Sequence, residues 1–269
     1  VPLPRTLSLV WHRDEAFPVD VPLERVYRDI DVGRSSGRSP VAVNMVQTID
    51  GIVAIDGKAW TIGSDVDHYL FRTLRGWADA VVCGAGTLRR NDVATITHPE
   101  LRDARVAAGR AANPAAVVIT RLGDFSDAEL RKRFFTGREF ASFVVATERA
   151  PQANLRRLAD TGVSVVVVPA ASQGEADPVV VLDALRERGF DRILLEGGPV
   201  TNRAMVGAGV VDELFLTVTA RIVGSPAGAN VISGVFGGAP ASLETISEYQ
   251  YLTPALAEWY VRFRVTTPQ

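Results

Sequence analysis

From Val41 onward the chain alternates between short apolar runs and longer segments of mixed character. The runs are VAVNMVQ, ADAVVCG, AAVVIT, FASFVVA, VSVVVVP, RILLEGG and ELFLTVTA. Each is rich in Val and Ile, and apolar residues follow one another directly instead of alternating with polar ones. That pattern suits strands covered on both faces. The segments between them are amphipathic. SDVDHYLFRTLRGW opens on a Ser-x-x-Asp helix start, and DPVVVLDALRERG ends on Gly189, as a helix C-terminus does. Strand and helix alternating over this distance predict one α/β unit: a mostly parallel central sheet with helices on both faces. After Val211 the segments ELFLTVTARIVG, ASLETISEYQYL and ALAEWYVRFRVT read as strands with no helix between them, which predicts an antiparallel C-terminal edge. Residues 1–40 carry prolines, mixed charge and the patch DVGRSSGRSP, and read as an N-terminal extension on the surface, with the folded domain over 41–269.

Composition narrows what such a sheet can serve. The chain has 269 residues, enough for a full core, and its 29 basic against 31 acidic residues give a net charge of −2. No charge bias draws it to a phosphate backbone or to anionic lipid, so nucleic acid and membrane are not expected partners. One cysteine, Cys83, leaves no internal disulfide, and with His12, His68 and His98 it offers no metal-ligand spacing. A reducing, cytoplasmic setting and a small-molecule substrate are the expectation.

Ligands of open α/β sheets lie beyond the carboxyl ends of the strands, and the glycines cluster there. In VVCGAGTLRRND, Gly84, Ala85 and Gly86 follow a buried strand and Thr87 leads into the next helical segment. A strand-to-helix turn alone explains this, as does a phosphate resting on bare backbone. In LLEGGPV, Glu196 precedes Gly197 and Gly198, and Pro199 suits a first helical turn. Architecture again explains each glycine pair singly, but two such corners could hold one extended dinucleotide. Glu196 is expected to bind a ligand, because a strand-end carboxylate beside glycines has few structural partners. In NMVQTIDGIVAIDGKAW, two Asp-Gly turns flank IVAI, which reads as a strand doubling back. Thr48 and Asp50 place polar groups at a strand end, and Trp60 supplies a flat wall. Asp50 is first of all a turn-former and second a candidate acid.

Four motifs in order resemble one family: QTIDG, WTIG, LRGWADAVVCGAGTLRRND, and ILLEGGP with VDELFLTV. The resemblance, over about Val41 to Val265, is to the pyrimidine reductase domain of bacterial riboflavin biosynthesis in a stand-alone form, with a dihydrofolate-reductase-like fold. It implies NADPH, a homodimer, and hydride transfer to a ribosylated pyrimidine of the 5-amino-6-ribosylamino-uracil phosphate type. It further implies a cofactor site over Val46, Thr48, Trp60, Gly84, Ala85, Gly86, Thr87, Asn91, Gly197, Gly198, Pro199 and Val200. Asn44, Arg75 and Glu196 would face the substrate, and Glu196 and Asp50 are the candidate catalytic carboxylates. Arg89 and Arg90 are placed to meet a 2′-phosphate, or are plain helix surface.

Two departures stand out. Ile52 occupies the place after the Asp-Gly turn where the family carries a cation, and Asn91 to His98 replace its Asp-Asp-Pro and Leu-Thr-x-Arg stretch, leaving Arg102 as a distant substitute. The deaminase zinc signature is absent from the sequence. Dihydrofolate reduction, a non-catalytic NADPH-binding protein and a scaffolding α/β domain therefore remain open beside the pyrimidine reductase.

Overall fold

A computed structural model describes residues 2–13, 19–33, 38–55, 58–171, 174–224, 230–232 and 240–266. Among them runs one 11-stranded sheet in the order β2-β1-β10-β11-β9-β3-β8-β4-β5-β6-β7. Its parallel half holds β3 (Val41–Thr48), β4 (Ala80–Gly84), β5 (Ala115–Thr120), β6 (Ser142–Thr147), β7 (Ser164–Val168) and β8 (Ile193–Leu195), with β9 (Glu213–Thr219) parallel to β3. Its other half is antiparallel: β10 (Ser242–Thr253), β11 (Leu256–Thr266), β1 (Thr6–His12) and β2 (Val19–Pro22). All seven apolar runs are strands. The last of the three C-terminal strands expected without intervening helix is β11, whereas β9 stops at Thr219, short of Arg221–Gly224.

The burial explains the run composition. On β4, Ala80 and Val82 face the helices α6 (Pro178–Arg186) and α7 (Pro199–Gly207), packing with Val181, Leu185, Met205 and Val206. Val81 faces the opposite side with Leu70 and Leu74 of α1 (Asp65–Trp77), while Cys83 packs with Phe134 and Phe135 of α4 (Arg133–Thr136) and Leu158 of α5 (Gln152–Ala159). Both faces are covered, so alternation would leave polar groups buried. The β9 strand, bordering the antiparallel half, shows the alternating burial of a half-covered strand.

The N-terminal segment corrects the surface-extension reading. Leu7 and Leu9 of β1 are 1% exposed, and Leu23, Val26, Tyr27 and Val32 join the core beneath α1. Leu7-Ser8-Leu9 carries the two-residue period of a strand, hidden between prolines and charges. Part of DVGRSSGRSP, residues 34–37, lies outside the described residues.

The carboxyl ends of β3, β4 and β8 lie side by side, because β8 inserts between β3 and β4 although β3 and β4 are consecutive through α1. This is the position where loops leave the sheet in different directions and a crevice opens.

Candidate functional site

The two glycine corners meet. The Gly84 N–H donates to the Gly197 carbonyl at 2.9 Å. A Cβ at Gly84 would sit 2.4 Å from Thr201 Oγ1, and one at Gly198 would sit 3.2 Å from Thr87 Oγ1. Gly197 adopts φ +86° and lies against Met45 of β3, whose sulfur would be 3.2 Å from an added Cβ. Each glycine is thus required by close approach, and Gly197 by backbone conformation as well. Gly198 caps α7 with no side-chain bond to the first turn, and Pro199 occupies its start. Unsatisfied N–H groups at that end carry partial positive charge.

Two cavities flank this junction. One, of about 480 Å³, is lined by Asn44, Val46, Trp60, Arg75, Thr87, Asn91 and Glu196 among the expected residues. The other, of about 410 Å³, is lined by Gly84, Ala85, Gly86 and Val200, with Thr201 and Arg203. Gly86 and Thr87, adjacent on α2 (Ala85–Arg90), line different cavities. Gly197, Gly198 and Pro199 form the partition rather than either lining.

Several expected residues are placed otherwise. Thr48 is fully buried; its hydroxyl donates to Asp50 and accepts the Ile52 N–H at 3.0 Å, so it holds the turn and lies outside both cavities. Asp50 is exposed, accepting also from the Val223 and Gly224 N–H groups at 3.2 and 2.8 Å, and the Thr48 hydroxyl above all holds its carboxyl below the usual range. The turn reading of Asp50 fits this geometry. The doubling-back strand is reduced to one bridge between Ile55 and Lys58; Ile52 and Val53 are instead buried, and the second turn, Asp56-Gly57, lies outside the described residues. Arg89 lines the smaller cavity, as does Asp124, which engages it at 2.7 Å, with Glu129 at 3.7 Å.

Glu196 has the structural partner it was expected to lack. Arg75 Nε and Nη2 donate to its two oxygens, each at 2.7 Å, and Arg75 Nη1 donates to the Ala94 carbonyl at 2.6 Å. Both side chains are 10% exposed. The guanidinium lies 4.0 Å over the Phe71 ring. A forked pair of this kind is rigid, and it fixes α1 to the end of β8. Trp60 is indeed a wall: its ring stacks on His68 at 3.4 Å and 7°, with Arg72 5.7 Å away. The His68 Nε2 lies 3.1 Å from the Trp60 carbonyl, and burial lowers the His68 pKa.

The residue that sequence reasoning missed is Asp67. Sequence accounts for it as the last residue of the Ser-x-x-Asp helix start, yet Ser64 is bonded elsewhere: Glu258 accepts from the Ser64 N–H at 2.9 Å and from its hydroxyl at 2.5 Å. Asp67 points inward, is 9% exposed and lines the larger cavity. Burial first, and the neighbouring Glu258 charge, raise its pKa to about 7, against a hydrogen bond from the Thr217 side chain. Room for its carboxyl comes from Gly63, where a Cβ would lie 2.1 Å from Asp67 Oδ2. A signal existed. Asp67, Phe71 and Arg75 are spaced four apart on α1 and all three line the cavity, so one helical stripe makes a wall.

Comparison with known proteins agrees with this architecture. The RibD C-terminal domain family matches residues 40–247. The 2,5-diamino-6-ribosylamino-4(3H)-pyrimidinone 5′-phosphate reductase of Methanothermobacter thermautotrophicus is 29% identical over 201 residues, covering 73% of this chain and 85% of the relative. The Archaeoglobus fulgidus reductase of the same name is 25% identical over 199 residues, covering 73% and 87%. Among solved structures, a pyrimidine reductase-like protein from Corynebacterium diphtheriae superposes with a TM-score of 0.72 at 23% identity, covering 92% of this chain and 96% of the other, a likeness of fold.

Proposed function

Because the chain belongs to the RibD C-terminal domain family, we propose that it is an NADPH-dependent reductase of a 5′-phosphorylated ribosylaminopyrimidine, of the 2,5-diamino-6-ribosylamino-4(3H)-pyrimidinone kind that its archaeal relatives are named for. The substrate differs from the uracil type first expected by an amino group at position 2 of the ring. The observation that carries the reading is the junction at Gly84 and Gly197, with a cavity on either side.

The residues present fit a dinucleotide. Gly86 is exposed on the smaller cavity, where an added Cβ would meet only Arg90 Nη1 at 3.7 Å, and the uncapped start of α7 presents N–H donors. Gly84–Thr87 and Gly197–Val200 would hold the cofactor, with Val46, Trp60 and Asn91 on the side of the larger cavity. Bound there, NADPH supplies the hydride. The protein's part is to position and to exclude water. A ribosylamine opens to an imine, whose carbon would accept hydride while its nitrogen takes a proton from solvent, giving a ribitylamine. Asn44, Phe71 and the Arg75–Glu196 pair shape the space for that group, and Arg72 and Arg133 are further cations of the lining.

Loss of NADPH absorbance on adding the 2,5-diamino substrate tests the activity, with dihydrofolate as the second arm. Turnover with the ribosylaminopyrimidine supports the reading, and turnover with dihydrofolate alone replaces the substrate while keeping the cofactor. A melting temperature unmoved by excess NADPH would remove the reductase altogether, since a ligand that binds the folded state must stabilise it.

The reading includes a homodimer working in the cytoplasm. Trp11 of β1 and Leu243 and Leu252 of β10 leave apolar side chains exposed on the antiparallel half of the sheet, which supports an association there. Among the described residues no helix is long and apolar enough to cross a membrane. Light scattering at micromolar protein tests the dimer.

A further inference from the structure

Three carboxyl groups line the larger cavity, and only one is both buried and without a cation. Glu196 has each oxygen occupied by an Arg75 N–H. Asp92 is exposed. Asp67 sits inside, with the Thr217 side chain as its hydrogen-bond partner and the Glu258 carboxylate acting on it as a like charge, and among the described residues no ion pair includes it. A carboxyl so placed lowers its energy by taking N–H donors from whatever fills the cavity.

Resting on the pyrimidine reading above, we propose that Asp67 reads position 2 of the substrate ring. It accepts from an exocyclic 2-amino group and the neighbouring ring N–H, so that the site takes a 2-amino-4-oxopyrimidine and rejects the 2,4-dioxo ring. The complementarity is geometric. A 2-amino-4(3H)-pyrimidinone presents two adjacent donors, the amino group and N3–H, matching the two oxygens of a carboxylate. A uracil presents one donor between two carbonyls, and its position-2 oxygen would face a carboxylate oxygen. The other buried charged pair of the lining cannot read that change, because Arg75 is committed to Glu196 and the Ala94 carbonyl. A buried acceptor left facing an acceptor loses more than the missing bond, which is why selection of this kind is strong.

The test compares binding of two ring types, the 5′-phosphates of 2,5-diamino-6-ribitylamino-4(3H)-pyrimidinone and of 5-amino-6-ribitylaminouracil, by titration calorimetry with NADP⁺ present. The pH is about 8, above the Asp67 pKa of about 7. The wild-type protein should prefer the 2-amino ring by roughly ten- to a hundredfold. Asp67→Asn offers one acceptor and one donor, which matches N3–H and the 2-oxo group, so the preference should fall at least roughly tenfold or invert. Asp67→Ala should bring the two rings to similar affinity. Equal binding of both rings by the wild type, or an Asn variant with the wild-type ratio, overturns the assignment while leaving the reductase standing. Failure of both rings to bind removes the pyrimidine reading and this inference with it. The wild-type ratio needs no variant to fold.

Discussion

The two ends of α1 hold carboxyl groups in opposite circumstances. At its C-terminal end Arg75 grips Glu196 through two bonds of 2.7 Å, and the pair is complete without a ligand. At its N-terminal end Asp67 faces the same cavity, with a second acid, Glu258, acting on it and, among the described residues, no ion pair. Burial is nearly equal, since the Glu196 side chain is 10% exposed and Asp67 9%. What separates them is the partner. A satisfied buried charge builds a wall, whereas a buried acid without a cation is held near neutrality and is available to a ligand.

The sharpest way to break the comparison is to give Glu196 the circumstances of Asp67. Arg75→Met leaves the carboxylate buried without its two donors, and the expected loss in unfolding free energy is about 3–5 kcal/mol. Adding Glu196→Gln to it should recover a large part, because the stranded charge is gone. Urea denaturation of the single and double variants measures both. A double variant no more stable than Arg75→Met would mean that the packing on Phe71, 4.0 Å from the guanidinium, matters more than the charge.

Gly84 tests the junction instead of its walls. Gly84→Ala brings a Cβ to 2.4 Å from Thr201 Oγ1, and overpacking of this sort costs about 1–3 kcal/mol. It should also weaken NADPH binding, read as a smaller thermal shift at fixed cofactor. The Gly84→Ala, Thr201→Ala double variant should regain stability, since the clashing hydroxyl is removed. If it regains stability and cofactor affinity together, Gly84 serves packing alone.

Asp67 sets the next test, by pH. Its folded pKa of about 7 lies above the ordinary value of 3.8, so the folded state holds this proton more tightly than the unfolded state. As pH rises from about 4 to about 7 the unfolded chain ionises first, and stability falls across that window before levelling off. Glu258 on β11 and Thr217 on β9 act on the Asp67 carboxyl, and the Asp67 charge also acts on Tyr27 and Tyr260. Asp67→Asn cannot ionise, so its melting temperature relative to wild type should be higher by several degrees at about pH 8 than at about pH 5. An offset that is constant with pH would show that Asp67 is not the titrating group.

The contrast between the two acids also marks how far sequence could reach. The parallel half of the sheet was legible because runs such as AAVVIT on β5 are buried on both faces, and a run of that kind has few other uses. The glycine corners were legible as corners. Whether they met depended on β8 inserting between β3 and β4, a long-range pairing with no local trace. Glu196 was found, but its partner lies 121 residues away, and nothing near ILLEGG announces Arg75. Asp67 was hidden by a local rule that fitted: Ser-x-x-Asp is a helix start, and Ser64 does cap the Val66 N–H at 3.1 Å. Only Glu258, taking the Ser64 N–H from a strand near the end of the chain, frees the Asp67 side chain for the cavity. The edge strands β1 and β2 were lost for the opposite reason, since prolines and charges outweighed a short Leu-Ser-Leu alternation.

The smallest effect belongs to Asp50, the acid that sequence placed beside Glu196 as a candidate catalyst. Its carboxyl is exposed, and its pKa is lowered by the Thr48 hydroxyl first, then by the Gly224 and Val223 N–H groups, around a turn in which Gly51 has φ +84°. A depressed pKa stabilises the folded state above the ordinary carboxylate range and ceases to do so as pH falls below it, but solvent screens an exposed group and the contribution is small. Asp50→Ala should therefore loosen the link between this turn and the Val223–Gly224 backbone, visible as faster amide exchange at those two N–H groups. Turnover and the ring preference assigned to Asp67 should stay at wild-type values. A large loss of kcat with unchanged KM would place Asp50 at the reacting group after all, and would require this turn to close over the cavity when substrate is bound.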